Sequence, residues 1–448
     1  MADAPLIGPY HPDDVLARTE DGPHTVRRFL SDVSRLASSL PDRRSVLNLL
    51  AGRYDFLVGF AAAIVRRQVT LLPQSRAPQM LRRIASEYSD SYCLTDPGDE
   101  IDGVESVEFR HQAAQAGCPL GIPLVPLDQV VAVAFTSGST GQPTPSVKSW
   151  RALTSVAQAT GTRLGIKARD PVTVVATVPH QHMFGLEASV MLPLRHGLVM
   201  HAERPLFPED IRHALADATG DRILVTTPLH IRACVAEQVR LPPLRFILSA
   251  TAPLTRELAQ VAERQFQTRV HEIFGFAEAG SIGHRRTVLD DHWHLLDGVR
   301  LERQDEQWTV FTDYLASPVP CPDHLSVEKP DRFLIHGRAA DQVNIAGHRI
   351  SLGDLNQTLL EIEGVQDGVF FLPDEAHEVV TRLMAFVVAP GKSEHQIQRA
   401  LRSLVDPVFL PRPLVLVPRL PRNATGKLPR ELLLQLAAES MVRSPHDV

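Results

Sequence analysis

Two periodicities take turns along the chain. Short apolar runs rich in Val, Ile and Leu read as strands, and between them apolar residues recurring three and four positions apart read as one-sided helices. Between residues 45 and 95 this gives strands over 46–49, 69–72 and 91–95 and helices over 56–67 and 79–88. The rhythm returns between 171 and 276, with strands over 172–178, 198–200, 222–226, 245–248 and 269–273 and helices over 208–218 and 254–267. Strands joined through helices pair in parallel, so the pattern predicts βαβ units around mostly parallel sheets. From 299 to 333 the runs shorten and alternate between turn residues, which predicts a small antiparallel β unit. After Gly337 come a helix over 352–362, strands over 368–372 and 382–388 and a helix over 394–405. That is about 110 residues, enough for a separate small domain. The fold class expected is α/β: a large N-terminal domain of βαβ subdomains plus a small β unit, followed by a small α+β C-terminal domain.

The 448 residues leave room for several structural units, and 44% hydrophobic, 22% charged and 6% aromatic residues exclude wholesale disorder. A net charge of −6 carries no basic footprint, which disfavours polyanion recognition but not a local phosphate site. The longest apolar stretch, 56–65, stops at Arg66-Arg67, short of the roughly 18 residues of a membrane span, and reads as a buried helix. Met1-Ala2-Asp3-Ala4-Pro5 has neither the basic nor the apolar region of a signal peptide, and Cys93, Cys118, Cys234 and Cys321 form no CxxC pair. Both features point to the cytosol.

The most informative segment is the apolar run Val131 to Phe135 leading into Thr136, Ser137, Gly138, Ser139, Thr140, Gly141, Gln142 and Pro143. Glycines let backbone amides converge on an anion, and hydroxyls add donors for a phosphate chain. No Gly-x-x-x-x-Gly-Lys-Ser/Thr is present, and taken alone such a turn also fits an ordinary surface loop. Histidines one residue apart, His180 with His182 and His292 with His294, lack a third ligand at metal-site spacing, so a zinc centre is not expected.

Three further segments follow in order: Phe274-Gly275-Phe276-Ala277-Glu278, the run from Gly337 and Arg338 through Gly347 to Arg349, and Leu420 through Gly426 to Lys427. With the phosphate-type loop they resemble the ordered motifs of the adenylate-forming superfamily of acyl-CoA synthetases, aryl-acid ligases and luciferases, from near Ser45 to near Gln435. The resemblance implies an adenylation core over 1–338 that binds ATP and the acid, and a mobile C-terminal domain over 339–448 that carries a catalytic lysine. It assigns the phosphates to Thr136, Ser137, Gly138, Ser139, Thr140 and Gly141, and Mg²⁺ to Glu278, a hard oxygen ligand. Phe274 and Gly275 would lie against adenine, with Thr251, Ala252 and Pro253 across from them; Asp323 would grip the ribose hydroxyls, supported by Arg338. His182, Phe184, Gly185 and Phe276 would form the acid site, Gly347 would leave room for a pantetheine arm, and Lys427 would stabilise the charge of adenylation together with Glu278 and His182.

The chain departs from that pattern at three places. Thr144 stands where the family places a lysine, which makes Lys148, the first lysine of the segment, the candidate displaced cation. Ala277 replaces a threonine, and Ala340 replaces a polar hinge residue. In its compactness and its Pro143-Thr144-Pro145-Ser146-Val147-Lys148 loop the chain resembles small ligases of bacterial aryl-polyene and xanthomonadin-type pigment pathways. That implies ATP-dependent activation of a hydroxybenzoate such as 3-hydroxybenzoate and transfer to the phosphopantetheine of an acyl carrier protein. The alternatives are a fatty acyl or aryl-CoA ligase using coenzyme A and, more distantly, an inactive nucleotide-binding scaffold.

Overall fold

The computed structural model describes residues 2–73, 76–99, 101, 103–110, 121–137, 143–305, 307–338, 342–345, 348–373, 383–423, 426 and 428–442. Two large sheets dominate. The smaller runs in the order Pro143–Ser149, Val130–Ser137, Val69–Leu72, Ser45–Asn48, Ser91–Thr95 and Ser106–Glu108. It is parallel except at its Pro143–Ser149 edge, which turns back on Val130–Ser137 as an antiparallel hairpin. At the centre of the larger sheet the strands Val270–Phe276, Phe246–Ser249, Asp221–Thr226, Val172–Ala176, Val199–His201 and Val15–Thr19 lie side by side and parallel. Antiparallel strands extend both of its edges, Gly280–Arg285 onward on one side and Gly22–Thr25 on the other.

The main core fills the space between these sheets. Past its first turn the helix Arg53–Val65 is apolar on every face, as a helix packed against protein on most sides must be, and Phe56, Leu57, Val58 and Ala62 are fully buried. Each large side chain buried this way contributes about 1.5–3 kcal/mol. Phe29, Leu30 and Val33 of the helix Val26–Ser39 join the same cluster, together with Val46, Leu72 and Val131 from one sheet and Leu16, Ala17 and Met200 from the other. A buried arginine ties the two halves: Arg53 donates to the carbonyls of His201 (2.6 Å), Glu203 (2.9 Å), Ala176 (2.9 Å) and Val178 (3.3 Å).

The expected antiparallel unit is Val299–Gln304, Gln307–Thr312 and Val319–Pro320. Asp323–Lys329 and Arg332–Arg338, anticipated as part of it, instead extend the large sheet through Trp293–Leu295. The C-terminal part has its own core: Asp367–Phe371, Met384–Val388 and Leu414–Leu416 form a sheet covered by Leu352–Leu360, Glu394–Leu404 and Arg430–Val442. The architecture is therefore the α/β class anticipated, a large N-terminal part and a smaller C-terminal one. Among the described residues no helix is long and apolar enough to cross a membrane.

Candidate active site

Ligands of open parallel sheets bind at the carboxyl ends of the strands, and here those ends carry the polar groups. Past Asp221–Thr226, the Thr226 hydroxyl lies 2.8 Å from that of Thr177, and Thr227 Oγ1 lies 2.9 Å from His230 Nδ1. Burial, helped by Arg204, holds His230 down at about 4, so its ring is neutral at physiological pH. Past Phe246–Ser249 the chain turns sharply through Thr251 at φ +81°. A β-branched residue in the left-handed region is strained, as segments that present backbone to a ligand often are. The buried Ser249 hydroxyl beside it has no hydrogen-bond partner among the described residues.

Past Val270–Phe276 comes the turn that carries Glu278. Gly275 stands at an irregularity in the pairing with Gly280–Arg285, where a Cβ would come within 2.3 Å of the Gly280 carbonyl. The Glu278 side chain is half-buried, and its carboxylate makes no hydrogen bond or close ion pair among the described residues. Its neighbours hold the turn through backbone. Ser146 Oγ donates to the Ala277 carbonyl (3.0 Å), Lys148 Nζ donates to the Glu278 carbonyl (2.9 Å), and Glu187 accepts from the Ser281 N–H (3.1 Å) and hydroxyl (2.5 Å). Burial pushes the Glu187 carboxyl up, opposed by Ser281 and Lys148, and pushes the Lys148 ammonium down, opposed by Glu187 and Glu278.

Lys148, expected to reach a phosphate, is seated beneath the Glu278 turn. The hairpin pairs Lys148 with Ala132, at the opposite end from the Pro143–Ser137 pair that flanks the phosphate-type loop. Four residues of strand separate Lys148 from Thr144, about 13 Å, and its side chain, 2% exposed, turns inward. Ser137 and Thr136 end the incoming strand Val130–Ser137; Gly138, Ser139, Thr140 and Gly141 lie outside the described residues.

His182 precedes the helical turn Met183–Gly185, which runs on as the π-helical segment Leu186–Met191. Single π turns recur at functional sites. Gly185 is there because of packing: a Cβ would fall 1.9 Å from the Pro179 carbonyl oxygen. His180 points away and lies 3.2 Å from the Leu50 carbonyl through Nε2, with its ring on Phe56 at 4.6 Å. Phe184 is half-buried against a cluster that contains Val178, Ala188 and Ile273. Phe276, expected at the acid, is a core residue in the cluster with Ala152, Val156 and Ala279. Phe274, expected on adenine, is half-buried with Trp293 at 5.6 Å and Phe333 at 5.7 Å.

Asp323 and Arg338 are direct partners across two antiparallel strands, which brings together two residues separated in sequence. Thr251, Ala252 and Pro253 form the turn described above, with Pro253 exposed. Gly347 and Lys427 lie outside the described residues. The residue before Lys427 is informative. A Cβ on Gly426, whose φ is +78°, would lie 4.0 Å from Thr227 Oγ1, so the loop rests on the strand ends of the large sheet. Arg422 fixes that loop, donating to the Gly426 carbonyl (2.7 Å) while pairing with both oxygens of Asp367 (2.7 and 2.6 Å).

Sequence reasoning missed Glu187, Arg53, Thr227 and His230. For Glu187 a signal was available: a lone carboxylate in the apolar run Met183 to Leu194 must be buried with a partner. The donor set suits a magnesium shared with a polyphosphate. One unengaged hard carboxylate is offered, and no cluster of His, Cys, Asp or Glu among the described residues would hold a cation by protein alone.

Residues 53–302 match the family model described as AMP-binding enzyme. In sequence the chain is 28% identical to a 4-coumarate–CoA ligase of Rhodobacter capsulatus over 61% of this chain and 67% of that protein. It is 23% identical to a 3-hydroxybenzoate–CoA/4-hydroxybenzoate–CoA ligase of Thauera aromatica over 93% of this chain and 86% of that one. In fold it is similar to ATP-bound MatB from Rhodopseudomonas palustris, with a TM-score of 0.81 at 17% identity, covering 96% of this chain and 97% of that structure. The chain therefore belongs to the AMP-binding enzyme family and is an AMP-forming acid–thiol ligase that uses ATP with Mg²⁺ to convert a carboxylic acid to an acyl adenylate.

Proposed function

We propose that the acid is an aromatic one of the hydroxybenzoate type, such as 3-hydroxybenzoate, and that the acceptor is a phosphopantetheine thiol, with an acyl carrier protein as its bearer. What supports the aryl acid most is the near full-length likeness to a hydroxybenzoate–CoA ligase. The carrier protein rests on the resemblance to pigment-pathway ligases. Coenzyme A is the second reading, favoured by the names of the same relatives. The scattered cysteines support cytosolic action; Cys93, Cys234 and Cys321 are buried.

In the first half-reaction a carboxylate oxygen of the acid attacks the α-phosphorus of ATP. The new O–P bond forms as the bond to pyrophosphate breaks, and pyrophosphate leaves. Mg²⁺, when bound, supplies charge neutralisation at the phosphates, and Glu278 is the residue to hold it. Phosphate-loop donors at Thr136 to Gly141 orient the chain of phosphates, and Asp323 accepts from the ribose hydroxyls, with Arg338 opposite it. Lys427 adds a cation where carboxylate and phosphate crowd together; Gly426 beside it on the Thr227 strand end supports this placement. In the second half-reaction the thiolate attacks the acyl carbon and AMP departs with the oxygen that linked them. Rotation of the residues after Arg338 would exchange Lys427 for the Gly347 side, one chain serving both steps.

The test is pyrophosphate release across a panel of hydroxybenzoates, cinnamates and fatty acids, followed by thioester formation with coenzyme A and with a phosphopantetheinylated carrier protein. A higher kcat/KM for a hydroxybenzoate than for palmitate supports the aryl reading; the reverse overturns it. Apolar pockets gain only about 1–3 kcal/mol per misfit methylene, so moderate selectivity is expected.

A further inference from the structure

Two buried charged side chains, Lys148 and Glu187, grip the Glu278 turn from opposite sides, and the reaction as described does not use them. Ser146 and Lys148 face inward from the strand Pro143–Ser149, while Val147 between them is 59% exposed. Both reach the same turn, at the carbonyls of Ala277 (3.0 Å) and Glu278 (2.9 Å). From the other side Glu187 takes the N–H and hydroxyl of Ser281. Between the two grips Gly280 has φ +78°, and a Cβ there would come within 2.7 Å of Glu187 Oε1. The backbone of the turn is thus fixed at both ends, and the Glu278 carboxylate makes no hydrogen bond among the described residues.

A lysine that merely filled this space could be a methionine. Burying an ammonium is unfavourable unless its donor and its charge are both used. Here the donor meets a backbone carbonyl of the metal turn, and the carboxylate of Glu187, itself 6% exposed, favours the charge from across the turn. Glu187 lies in Leu186–Met191, directly after the helical turn that starts the acid pocket. The pair therefore connects three segments: the strand leaving the phosphate-type loop, the metal turn and the acid-pocket helix.

We propose that Lys148 and Glu187 are positioning residues which set the height and direction of the Glu278 turn, so that its carboxylate meets the nucleotide-bound divalent cation. In this chain the lysine lost at Thr144 is answered from below the turn instead of by a second contact to phosphate. The proposal rests on the reading of Glu278 as the metal-holding carboxylate.

The experiment uses the full chain, with Mn²⁺ as the probe, read by electron paramagnetic resonance in the presence of α,β-methylene-ATP, which requires no turnover. Lys148→Met keeps the length of the side chain and deletes donor and charge. The half-saturating Mn²⁺ concentration should rise by about 10- to 100-fold, as for loss of other groups that orient a metal ligand. The kcat of pyrophosphate release should fall while the KM for the acid stays near wild type. An unchanged Mn²⁺ half-saturation in folded Lys148→Met, with only the melting temperature lowered, overturns the proposal and leaves a purely structural pair. Should that variant not fold, Ser281→Ala reads the same device from the Glu187 side: a smaller rise in the same direction supports it and an unchanged value overturns it. A wild type that binds Mn²⁺ with nucleotide yet releases no pyrophosphate with any acid contradicts the functional reading alone. A wild type with no nucleotide-dependent Mn²⁺ site overturns both.

Discussion

Glu278 shows how far single residues can be read from sequence and where that reading stops. A carboxylate after an aromatic-Gly motif is chemically suggestive, and the structure leaves it half-buried on a turn held at the carbonyls of Ala277 and Glu278 and at Ser281. Glu278→Ala should therefore cut Mg²⁺-dependent pyrophosphate release by about 100-fold or more, with stability within about 0.5 kcal/mol of wild type by denaturant titration. Near-normal release from the folded variant would remove it from the metal site. For Lys427→Ala the expected loss is about 10² to 10³ in adenylation, while thioester formation from a supplied acyl adenylate persists. Equal losses in both half-reactions would contradict the exchange of Lys427 for the Gly347 side. Lys148 could not be placed from sequence, because which way a strand residue points depends on a pairing register that sequence does not display: Lys148 opposite Ala132. Nor could the burial of Phe276 in the core be read from sequence, since nothing local separates a pocket aromatic from a core one.

At the scale of elements, local periodicity was a good guide wherever an element is decided by its own residues. Val69–Leu72 and Ser91–Thr95 were legible to the residue, because short, largely apolar runs between polar turns have few other solutions. Val15–Thr19 was not legible. It joins the large sheet beside Val199–His201, a pairing across nearly half the chain. The helix Trp150–Arg163 was missed because it follows a strand with no loop between, its start marked only by Ser149 accepting from the Ala152 N–H. Gly185 belongs to this scale too, since its role is to let the helix at Met183 start against the Pro179 carbonyl. Gly185→Ala forces that helix away and should destabilise the protein by about 1–3 kcal/mol. The denaturant midpoint should fall with an unchanged slope; an unchanged midpoint would mean that the close approach is not required.

Across the whole molecule the buried histidines set a common pH response. Burial, as the largest cause, holds His180, His196 and His201 below their usual range, His230 and His271 at about 4 and His284 at about 3. The unfolded chain takes up these protons near 6.5 and the folded one does not, so between about 6.5 and about 4 the unfolded state binds more protons. Stability should fall as pH drops through that window. His292, raised by Asp290, works weakly the other way from the surface. Thermal unfolding scanned from neutral to mildly acid pH checks this, and a flat profile would contradict it. The two-part architecture was legible from the change of rhythm after Gly337. The contact between the parts was not, because Gly426 on Thr227 and the field of Asp367 and Arg422 at Arg232 join segments far apart in sequence. That contact brings Gly426 to the strand ends of the large sheet. Exchange of labelled pyrophosphate into ATP, driven by 3-hydroxybenzoate, tests the reading of the whole most directly. Exchange that depends on both the acid and Mg²⁺ and disappears in Glu278→Ala is the predicted result. ATP binding without acid-dependent exchange, for any aryl or fatty acid offered, would contradict it.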